Sequence, residues 1–381
     1  MTSIKDERSA RILFNLAPDM GPVRFQRVMA RFGSALAAWE APEGEWAGVE
    51  DLSPELSFRL RRQCQDSLAL FDEELRRMRA LGARALIPGD ADFPQGLTSI
   101  FDPPTVLYIK GDWRPVDSLA LAMVGTRRPT AYGQAAAERL ARDLAGAGIT
   151  LVSGLARGID TVVHTAALRY KTRTLGVLGS GLGRFYPPEN KPLMERMAAQ
   201  GAVLSEFPMH FPPDRGHFPR RNRLISGLSL AVLVVEASEG SGSLITARLA
   251  AEQGRDVFAV PGPIFSKGSF GPHYLLKQGA RLVESVEDIL EEIELLKALA
   301  RPPARAAAAA RGTAVSEPEG KLLGHLGLEP VAMEGLAVRS GMSAAALSSL
   351  LTSLELKGLV RALPGRNYIR SESDCGGILH G

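Results

Sequence analysis

The sequence has few cysteines, few aromatic residues and no long apolar run. Cys64 and Cys375 are the only cysteines, and they lie far apart without forming a metal-binding motif. The opening segment MTSIKDERSA lacks the apolar core of a signal peptide, and no apolar run approaches the ~18 residues of a membrane span. These absences exclude disulfide-stabilised, zinc-bound and membrane-spanning classes, and they predict a cytoplasmic protein.

The length and the charge limit the remaining classes. A chain of 381 residues with 45% hydrophobic residues is long enough for two or three domains, each with a core. The net charge of +3 is mildly basic, which permits a nucleic-acid partner without requiring one. The local clustering of charge must therefore decide whether such a partner exists.

Residues 1–82 have the pattern of a helical domain. Apolar periodicity predicts helices over Arg8–Leu16 and Val23–Phe32, separated by a turn at Gly21, and a further helix over Pro54–Leu81. A helix, a glycine-bearing turn and a helix outline a SAM or helix-hairpin-helix-like module, which can present turn amides to a DNA phosphate. A plain helical bundle that serves only packing fits the same pattern.

Residues 83–299 are predicted to form an α/β domain. Its first part has two short β-prone pieces, Ala85–Ile87 and Val106–Ile109, which predict a connector packed against the rest. From Ser118 onwards, apolar strands alternate with helices, which predicts a doubly wound parallel sheet. Ligands bind outside the carboxyl ends of the strands in such sheets.

The C-terminal part differs in composition. Residues 300–315, rich in Ala, Arg and Pro, predict a linker, and residues 372–381 a tail. Between them, residues 316–371 predict three helices and two short strands, the pattern of a winged helix, with Ser343 capping the third helix. That helix is poor in base-reading side chains, which favours protein contact or weak phosphate contact. The predicted wing carries Arg361, Arg366 and Arg370.

The stretch Phe218–Gly262 carries the clearest chemical signal. It predicts a strand, a small-residue loop at Gly240–Ser243, a helix and a second strand. Free amides and the helix dipole favour an anion at that loop, and Ser243 is a predicted N-cap. A basic group, Arg220–Arg223, precedes the first strand. The stretch therefore predicts a phosphate-binding cleft with arginines at its edge.

Other strands add similar residues at the same edge of the sheet. Arginines, glycines and hydroxyls follow the first two strands, which fits a surface for backbone phosphates better than a substrate pocket. Phe218 adds an aromatic ring among the arginines, a combination that suits single-stranded nucleic acid. The candidate contacts from these patterns are Gly125, Arg127, Arg128, Ser153, Gly154, Arg157, Gly158, Phe218, Arg220, Arg221, Asn222, Arg223, Ser241, Gly242 and Ser243.

The patterns for cofactors and catalysis are incomplete. Gly179-Ser180-Gly181 begins like a dinucleotide fingerprint, but Arg184 occupies its last position and no acidic residue ends the second strand. The Gly240 loop lacks the lysine of a phosphate-binding P-loop. Asp160 and His164 have helical spacing that permits an acid–base pair, although a structural role is favoured. No cofactor, metal site or catalytic residue is predicted.

Several segments resemble the DNA-processing protein DprA (Smf) family. They include MVGTRRPTAYG, LVSGLARGIDTVVHTAAL, FPRRNRLISGLS and VVEASEGSGSLITARLAAEQGRDVFAVPG. The resemblance implies an extended Rossmann-like domain that binds and protects incoming single-stranded DNA without sequence preference. It also implies a homodimer that loads a RecA-type recombinase in natural transformation, with a single-strand-binding protein as a further candidate partner, and no enzymatic activity.

The resemblance adds residues and leaves one alternative. The family's ENK motif falls on Glu189, Asn190 and Lys191, which adds Lys191 to the candidate DNA contacts. Ser180 and His273 depart from the residues that are common in the family at their positions. The alternative is a nucleotide hydrolase of the lysine-decarboxylase-like type that uses the same cleft. Ile245 and Thr246 stand where its catalytic glutamate would fall, which favours a binding protein.

Overall fold

A computed structural model describes residues 4–293, 295–296, 315–327, 331–357, 359–363 and 366–370. The predicted tail and residues 300–314 of the predicted linker lie outside these ranges, as do Cys375 and the Pro364-Gly365 turn of the predicted wing. Among the described helices, none has the length and apolar character needed to cross a membrane.

The N-terminal domain is a helical bundle around the buried rings of Phe14 and Trp46. Its helices are α1 (Glu7–Leu16), α2 (Pro22–Phe32), α3 (Ala35–Glu40), α4 (Pro54–Asp66) and α5 (Leu68–Ala80). The single helix predicted over Pro54–Leu81 is therefore wrong, because the chain divides at Ser67, whose hydroxyl donates to the carbonyl oxygen of Gln63.

The turn between α1 and α2 bonds to the protein itself. The amide of Asp19 donates to Gln63 Oε1 at 3.1 Å, and the amides of Met20 and Gly21 donate to main-chain oxygens at 3.1 and 3.0 Å. Amides that are already bonded cannot hold a phosphate. The geometry thus favours the packing interpretation of this module over a helix-hairpin-helix contact to DNA.

The central domain contains a nine-stranded, mostly parallel sheet in the order β1-β2-β6-β5-β4-β3-β7-β8-β9. Strands β3 to β9 pair in parallel, whereas β2 pairs antiparallel with both β1 and β6. The strands are β1 (Ala83–Leu86), β2 (Leu107–Gly111), β3 (Leu121–Val124), β4 (Leu151–Ser153), β5 (Thr174–Val177), β6 (Ala202–Ser205), β7 (Ala231–Val234), β8 (Asp256–Ala259) and β9 (Arg281–Leu282). The predicted connector is thus part of the sheet, where it adds an antiparallel hairpin beside β6.

Helices cover both faces of this sheet, because apolar side chains along β3 point alternately to one face and the other. Leu121 and Met123 pack into the core on one face, and Ala122 and Val124 pack into the core on the other. This confirms the doubly wound α/β class. The helices are α6 (Ala131–Gly146), α7 (Ile159–Arg169), α8 (Lys191–Gln200), α9 (His217–Gly227), α10 (Gly242–Glu252), α11 (Phe270–Lys277) and α12 (Val286–Glu292).

The C-terminal part has its own core, formed around Leu336, Leu347 and Leu351. Its elements are α13 (Glu317–Leu323), β10 (Val331–Ala332), α14 (Met333–Ser340), α15 (Ala344–Leu356), β11 (Val360–Leu363) and β12 (Asn367–Arg370). Ser343 accepts a hydrogen bond from the amide of Ala346, which confirms the predicted cap of the third helix. Three helices and a hairpin are the predicted winged helix, to which β10 adds a third strand.

Candidate nucleic-acid interface

A cleft of about 440 Å³ opens at the carboxyl ends of β3 and β7. The loop after β3, the N-terminal half of α9 and the start of α10 form its walls. Eight of the predicted contacts line it: Gly125, Arg127, Phe218, Arg221, Asn222, Ser241, Gly242 and Ser243. Parallel strands end at one edge of a sheet, and this topology brings together residues that are more than a hundred positions apart.

The rim of the cleft combines a free cation with an aromatic ring. Arg127 is exposed, and its guanidinium carbon lies 5.1 Å from the centre of the Phe218 ring. Gly179 makes room for that ring, because a Cβ at residue 179 would come within 2.7 Å of it. Arg215, which the sequence analysis missed, is a second exposed cation in the lining. The basic and aromatic composition of its segment, FPPDRGHFPRR, was the available signal.

A smaller depression adjoins the cleft on the other side of Phe218. Tyr186 and Phe218 have ring centroids 6.1 Å apart, and the guanidinium of Arg157 lies 5.9 Å from the centre of the Tyr186 ring. Arg157 also pairs with Glu189, and both side chains are about half exposed. A phosphate would have to compete with this carboxylate for Arg157, but in open water the exchange costs little.

The start of α10 forms the opposite wall, where the amide of Ser241 already donates to the carbonyl oxygen of Ser238 at 3.1 Å. Ser241 is the N-cap and its hydroxyl accepts from the amide of Ser243, while the two hydroxyl oxygens lie 2.8 Å apart. The predicted cap at Ser243 is therefore wrong by two residues, because the helix begins at Gly242. The positive end of the helix dipole still points into the cleft, which favours an anion.

Arg221 forms the floor of the cleft and is committed to the protein. Its Nη1 donates to the carbonyl oxygen of Gly154 at 2.6 Å and to that of Val177, joining the ends of β4 and β5. Burial lowers the pKa of this guanidinium to about 10, against the opposing effect of the Asp160 charge. Glycine at residue 154 leaves space for this guanidinium, since a Cβ there would lie 2.7 Å from Arg221 Nη2.

Asp160 lines the cleft beside Arg221 with only 7% of its surface exposed, whereas His164 is fully buried, and the two residues have separate partners. Asp160 accepts from the amides of Gly154 and Ala156, each at 3.2 Å, and burial raises its pKa. His164 Nδ1 lies 2.7 Å from Thr174 Oγ1, and burial lowers its pKa to about 3. These contacts describe a structural role for both residues, in place of an acid–base pair.

Arg223 lies outside the cleft. The basic group Arg220–Arg223 lies in the first half of α9, whose inner face is buried. Arg223 Nη2 lies 2.6 Å from Glu206 Oε2 and its Nε lies 2.7 Å from Asp102 Oδ2, while Arg220 Nε lies 3.3 Å from Glu206 Oε1. The prediction that Arg223 lies at the edge of the phosphate-binding cleft is therefore not met by the structure.

Four other predicted contacts do not line the cleft. Arg128 is exposed next to Arg127, and Lys191 is exposed at the start of α8. The hydroxyl of Ser153 is buried and donates to the carbonyl oxygen of Met123 at 2.6 Å. Gly158 has φ of +79° and lies against the main chain of residues 126 and 127, a place that only glycine fits without strain. The last two residues shape the loops around the cleft.

The two departures from the family pattern have structural partners. The carbonyl oxygen of Ser180 accepts from Ser205 Oγ at 2.7 Å, and His273 Nε2 lies 3.0 Å from the carbonyl oxygen of Gly262. Ile245 and Thr246 line the cleft where a hydrolase would carry its glutamate. Within the described part of the chain, no group of three or more His, Cys, Asp or Glu residues could hold a metal ion.

Comparison with known proteins gives consistent matches. The family model "DNA recombination-mediator protein A" matches residues 84–294, and the model "DprA winged helix domain" matches residues 301–366. Protein Smf of Escherichia coli strain K12 is 43% identical over 293 residues, which are 76% of this chain and 78% of that protein.

Two solved structures are similar to this protein. DNA processing protein A of Streptococcus pneumoniae superposes with a TM-score of 0.67 at 33% identity, covering 77% of this chain and 99% of that one. DNA processing protein A of Helicobacter pylori, studied for its single-stranded DNA binding mode, gives a TM-score of 0.51 at 33% identity over 57% of this chain and 97% of that one.

Proposed function

Because the chain belongs to the DNA recombination-mediator protein A family, we propose that it binds single-stranded DNA without sequence preference in the cleft of Arg127 and Phe218. The observation that carries this proposal is the exposed guanidinium of Arg127 against the Phe218 ring, facing the N-terminus of α10. A cation and a helix terminus attract phosphates, while a ring offers a face on which any base can stack.

The charges and rings suggest how a strand would lie. Arg127 and Arg215 would contact phosphates at the rim, and the Gly242 amide with the hydroxyls of Ser241 and Ser243 would contact them at the opposite wall. Bases would stack on Phe218 and Tyr186, whose rings face the two depressions. Duplex DNA hides its base faces in the helical stack, so single strands should bind more tightly.

A direct test compares labelled single-stranded and duplex oligonucleotides of the same sequence by fluorescence anisotropy. We expect tighter binding of single strands, with similar affinity for different base compositions. Phe218→Leu should reduce this preference and Glu287→Gln, a change at an exposed residue outside the cleft lining, should keep it. Equal affinity for duplex and single strands would contradict the proposal.

We propose binding without turnover. Asp160 lines the cleft, but it is only 7% exposed and already accepts from two amides, and Ile245 and Thr246 add no further carboxylate. A general base must reach the proton that it removes, and neither arrangement provides one. A screen of mononucleotides should therefore detect no released base or phosphate, whereas turnover that is lost in Asp160→Asn would favour the hydrolase alternative.

We infer that the protein protects incoming single strands and loads a RecA-type recombinase in the cytoplasm during natural transformation. The inference of recombinase loading rests on family membership, since the geometry of the cleft bears on DNA binding and not on the recombinase that would receive the DNA. Filament assembly of a RecA-type recombinase on DNA coated by single-strand-binding protein measures it. The protein should speed assembly, and Arg127→Ala should weaken that effect; no acceleration would contradict recombinase loading.

A homodimer would need an apolar face, and the surface around α11 offers one. Phe265 is 94% exposed, Ile264 is 79% exposed, and Phe270 and Tyr274 lie beside them. Such a continuous exposed apolar surface is unusual for a monomer. We therefore place self-association here, and expect Phe265→Ser together with Tyr274→Ser to yield monomers in analytical ultracentrifugation. A double variant that still forms dimers would contradict this location of the interface.

A further inference from the structure

A buried carboxylate, that of Glu236, follows strand β7 and accepts hydrogen bonds from the loop after β3, which carries Arg127. Glu236 is only 3% exposed, although it lies two residues before the exposed Ser238. Its side chain accepts from the amide of Thr130 at 2.9 Å and from the Thr130 hydroxyl at 2.6 Å. Its carbonyl oxygen accepts from the amide of Thr126 at 2.7 Å. One residue thus holds both ends of the short segment that carries Arg127.

The Thr130 hydroxyl extends this connection into α6. It donates to Glu236 and accepts from the amide of Gly133 at 3.1 Å, so it caps the helix while it is held by the carboxylate. A hydroxyl has one donor and can accept at the same time, and both capacities are used here. The loop between Thr126 and Thr130 is therefore fixed at its two ends, and the Arg127 side chain projects from between them.

The surrounding backbone leaves space for this carboxylate. A Cβ at Gly133 would come within 2.2 Å of Glu236 Oε2, and a Cβ at Gly268 would come within 3.0 Å of Oε1. The first distance is too short for any side chain, so glycine at residue 133 is required while the carboxylate stays in place. The neighbouring Ala237 is held as well, since its amide donates to the carbonyl oxygen of Gly268 at 2.8 Å.

We propose that Glu236 is a positioning residue for DNA binding, which acts by holding the Thr126–Thr130 loop so that the Arg127 guanidinium stays over the Phe218 ring. This rests on the proposed function of the cleft. The connection is specific because a carboxylate accepts from an amide and a hydroxyl of the same residue, and charge-assisted hydrogen bonds of this kind are stronger than neutral ones.

The direction in which DNA affinity changes when Glu236 is neutralised distinguishes a positioning role from a general electrostatic effect. DNA is a polyanion, so the removal of a nearby negative charge should by itself strengthen binding. A positioning role predicts the opposite, because a loop that is freed at Thr130, and held only by the main-chain bond at Thr126, would no longer fix Arg127 in the cleft. Neutralisation of Glu236 that weakens DNA binding therefore cannot be a simple charge effect.

The experiment measures single-strand affinity over a salt series for Glu236→Ala, Glu236→Gln and the exposed control Glu287→Gln. For Glu236→Ala we expect roughly a tenfold loss and a salt slope reduced by about 0.7, the value for one lost phosphate contact on a single strand. Glu236→Gln keeps one acceptor oxygen and should lose less, and the control should bind as tightly as the wild type or more tightly. Equal or tighter binding by Glu236→Ala would overturn the proposal.

A double-mutant cycle with Arg127→Ala tests whether Glu236 acts through Arg127. In the Arg127→Ala background, Glu236→Ala should cause no further loss, whereas a second full loss would overturn the proposal. The cycle also separates the two inferences. If Arg127→Ala alone binds normally, the proposed function fails; if it binds weakly but the Glu236 variants do not, only the role of Glu236 fails.

Gly133→Ala provides a variant that keeps every charge, in case the loss of Glu236 unfolds the protein. Alanine favours the helix by about 1 kcal/mol relative to glycine, but its Cβ must displace the carboxylate. We expect weaker single-strand binding by a protein that stays folded, although the displaced carboxylate loses its hydrogen bonds and should lower the unfolding temperature. Wild-type affinity in a folded Gly133→Ala protein would overturn the proposal, whatever the Glu236 variants show.

Discussion

The arginines of α9 and those of the loop after β3 lie in equally basic stretches of sequence, yet the structure uses them differently. Arg221 and Arg223 are buried and bonded to protein oxygens, whereas Arg127 and Arg128 are exposed. The buried pair holds strand ends and loops together, and the exposed pair remains available to a ligand. The comparison teaches that the basic motifs at the proposed DNA site divide into a supporting part, Arg221 and Arg223, and a contacting part, Arg127 and Phe218 with their exposed neighbours.

The largest expected effect belongs to the supporting part. Arg221→Ala removes the donor that joins the carbonyl oxygens of Gly154 and Val177, and it leaves the buried Asp160 without its compensating charge. Breaking one side of a buried charged arrangement costs about 3–5 kcal/mol of unfolding free energy. Denaturant titration of Arg221→Ala measures this loss, with Arg127→Ala as the matched exposed control. Equal stability of the two variants would remove the distinction between the parts.

A pH effect should also come from the supporting part. Burial holds the pKa of His164 at about 3, below its ordinary value of 6.5. As the pH falls below 6.5, His164 binds a proton in the unfolded chain but not in the folded protein. The free energy of unfolding therefore declines by roughly 1.4 kcal/mol per pH unit until about pH 3.

The measurement is the unfolding free energy at pH 7 and pH 5 for the wild type and His164→Gln. The wild type should lose about 2 kcal/mol more than the variant over this range, because glutamine has no such proton to bind. The same loss in both proteins would show that His164 does not titrate as its burial requires.

A smaller effect, on binding alone, should come from the ring of the contacting part. Phe218→Leu keeps an apolar side chain against Gly179 but removes the stacking face. Loss of one base stack costs about 1–3 kcal/mol of binding free energy, so single-strand affinity should fall about tenfold. The salt slope should stay unchanged, since no phosphate contact is lost. If Phe218→Leu changed the salt slope but not the affinity at low salt, the assignment of base stacking to the Phe218 ring would be wrong.

The smallest effect is expected for Arg128→Ala. Arg128 is exposed and does not line the cleft, so it should add only long-range attraction. We expect a loss of no more than roughly twofold, about 0.4 kcal/mol. An effect of Arg128→Ala as large as that of Arg127→Ala would extend the contacting part along the loop.

The sequence predicted the sheet and the meeting of its loops, because both follow from local apolar runs and from the shared edge of parallel strands. Arg127 and Phe218 were found in this way. The antiparallel hairpin of β1 and β2 was not, because two short β-prone pieces do not indicate which strand they will join.

The sequence could not show which arginines would be buried. The partners of Arg223 are Asp102 and Glu206, and those of Arg221 include Gly154 and Val177, all of them distant in the chain. Glu236 was missed for the same reason, since an acidic residue after a strand is most often exposed. Contacts of this kind depend on tertiary packing, which local patterns do not encode.

The most direct test of the contacting role is a salt series of single-strand affinity for Arg127→Ala with Arg215→Ala. If both guanidiniums contact phosphates, the dependence of log affinity on log salt should become shallower by about 1.4, two contacts at about 0.7 each. The loss should be alike for all base compositions, and the unfolding temperature should stay at the wild-type value. An unchanged slope and affinity in a folded protein would contradict the assignment of this cleft to single-stranded DNA.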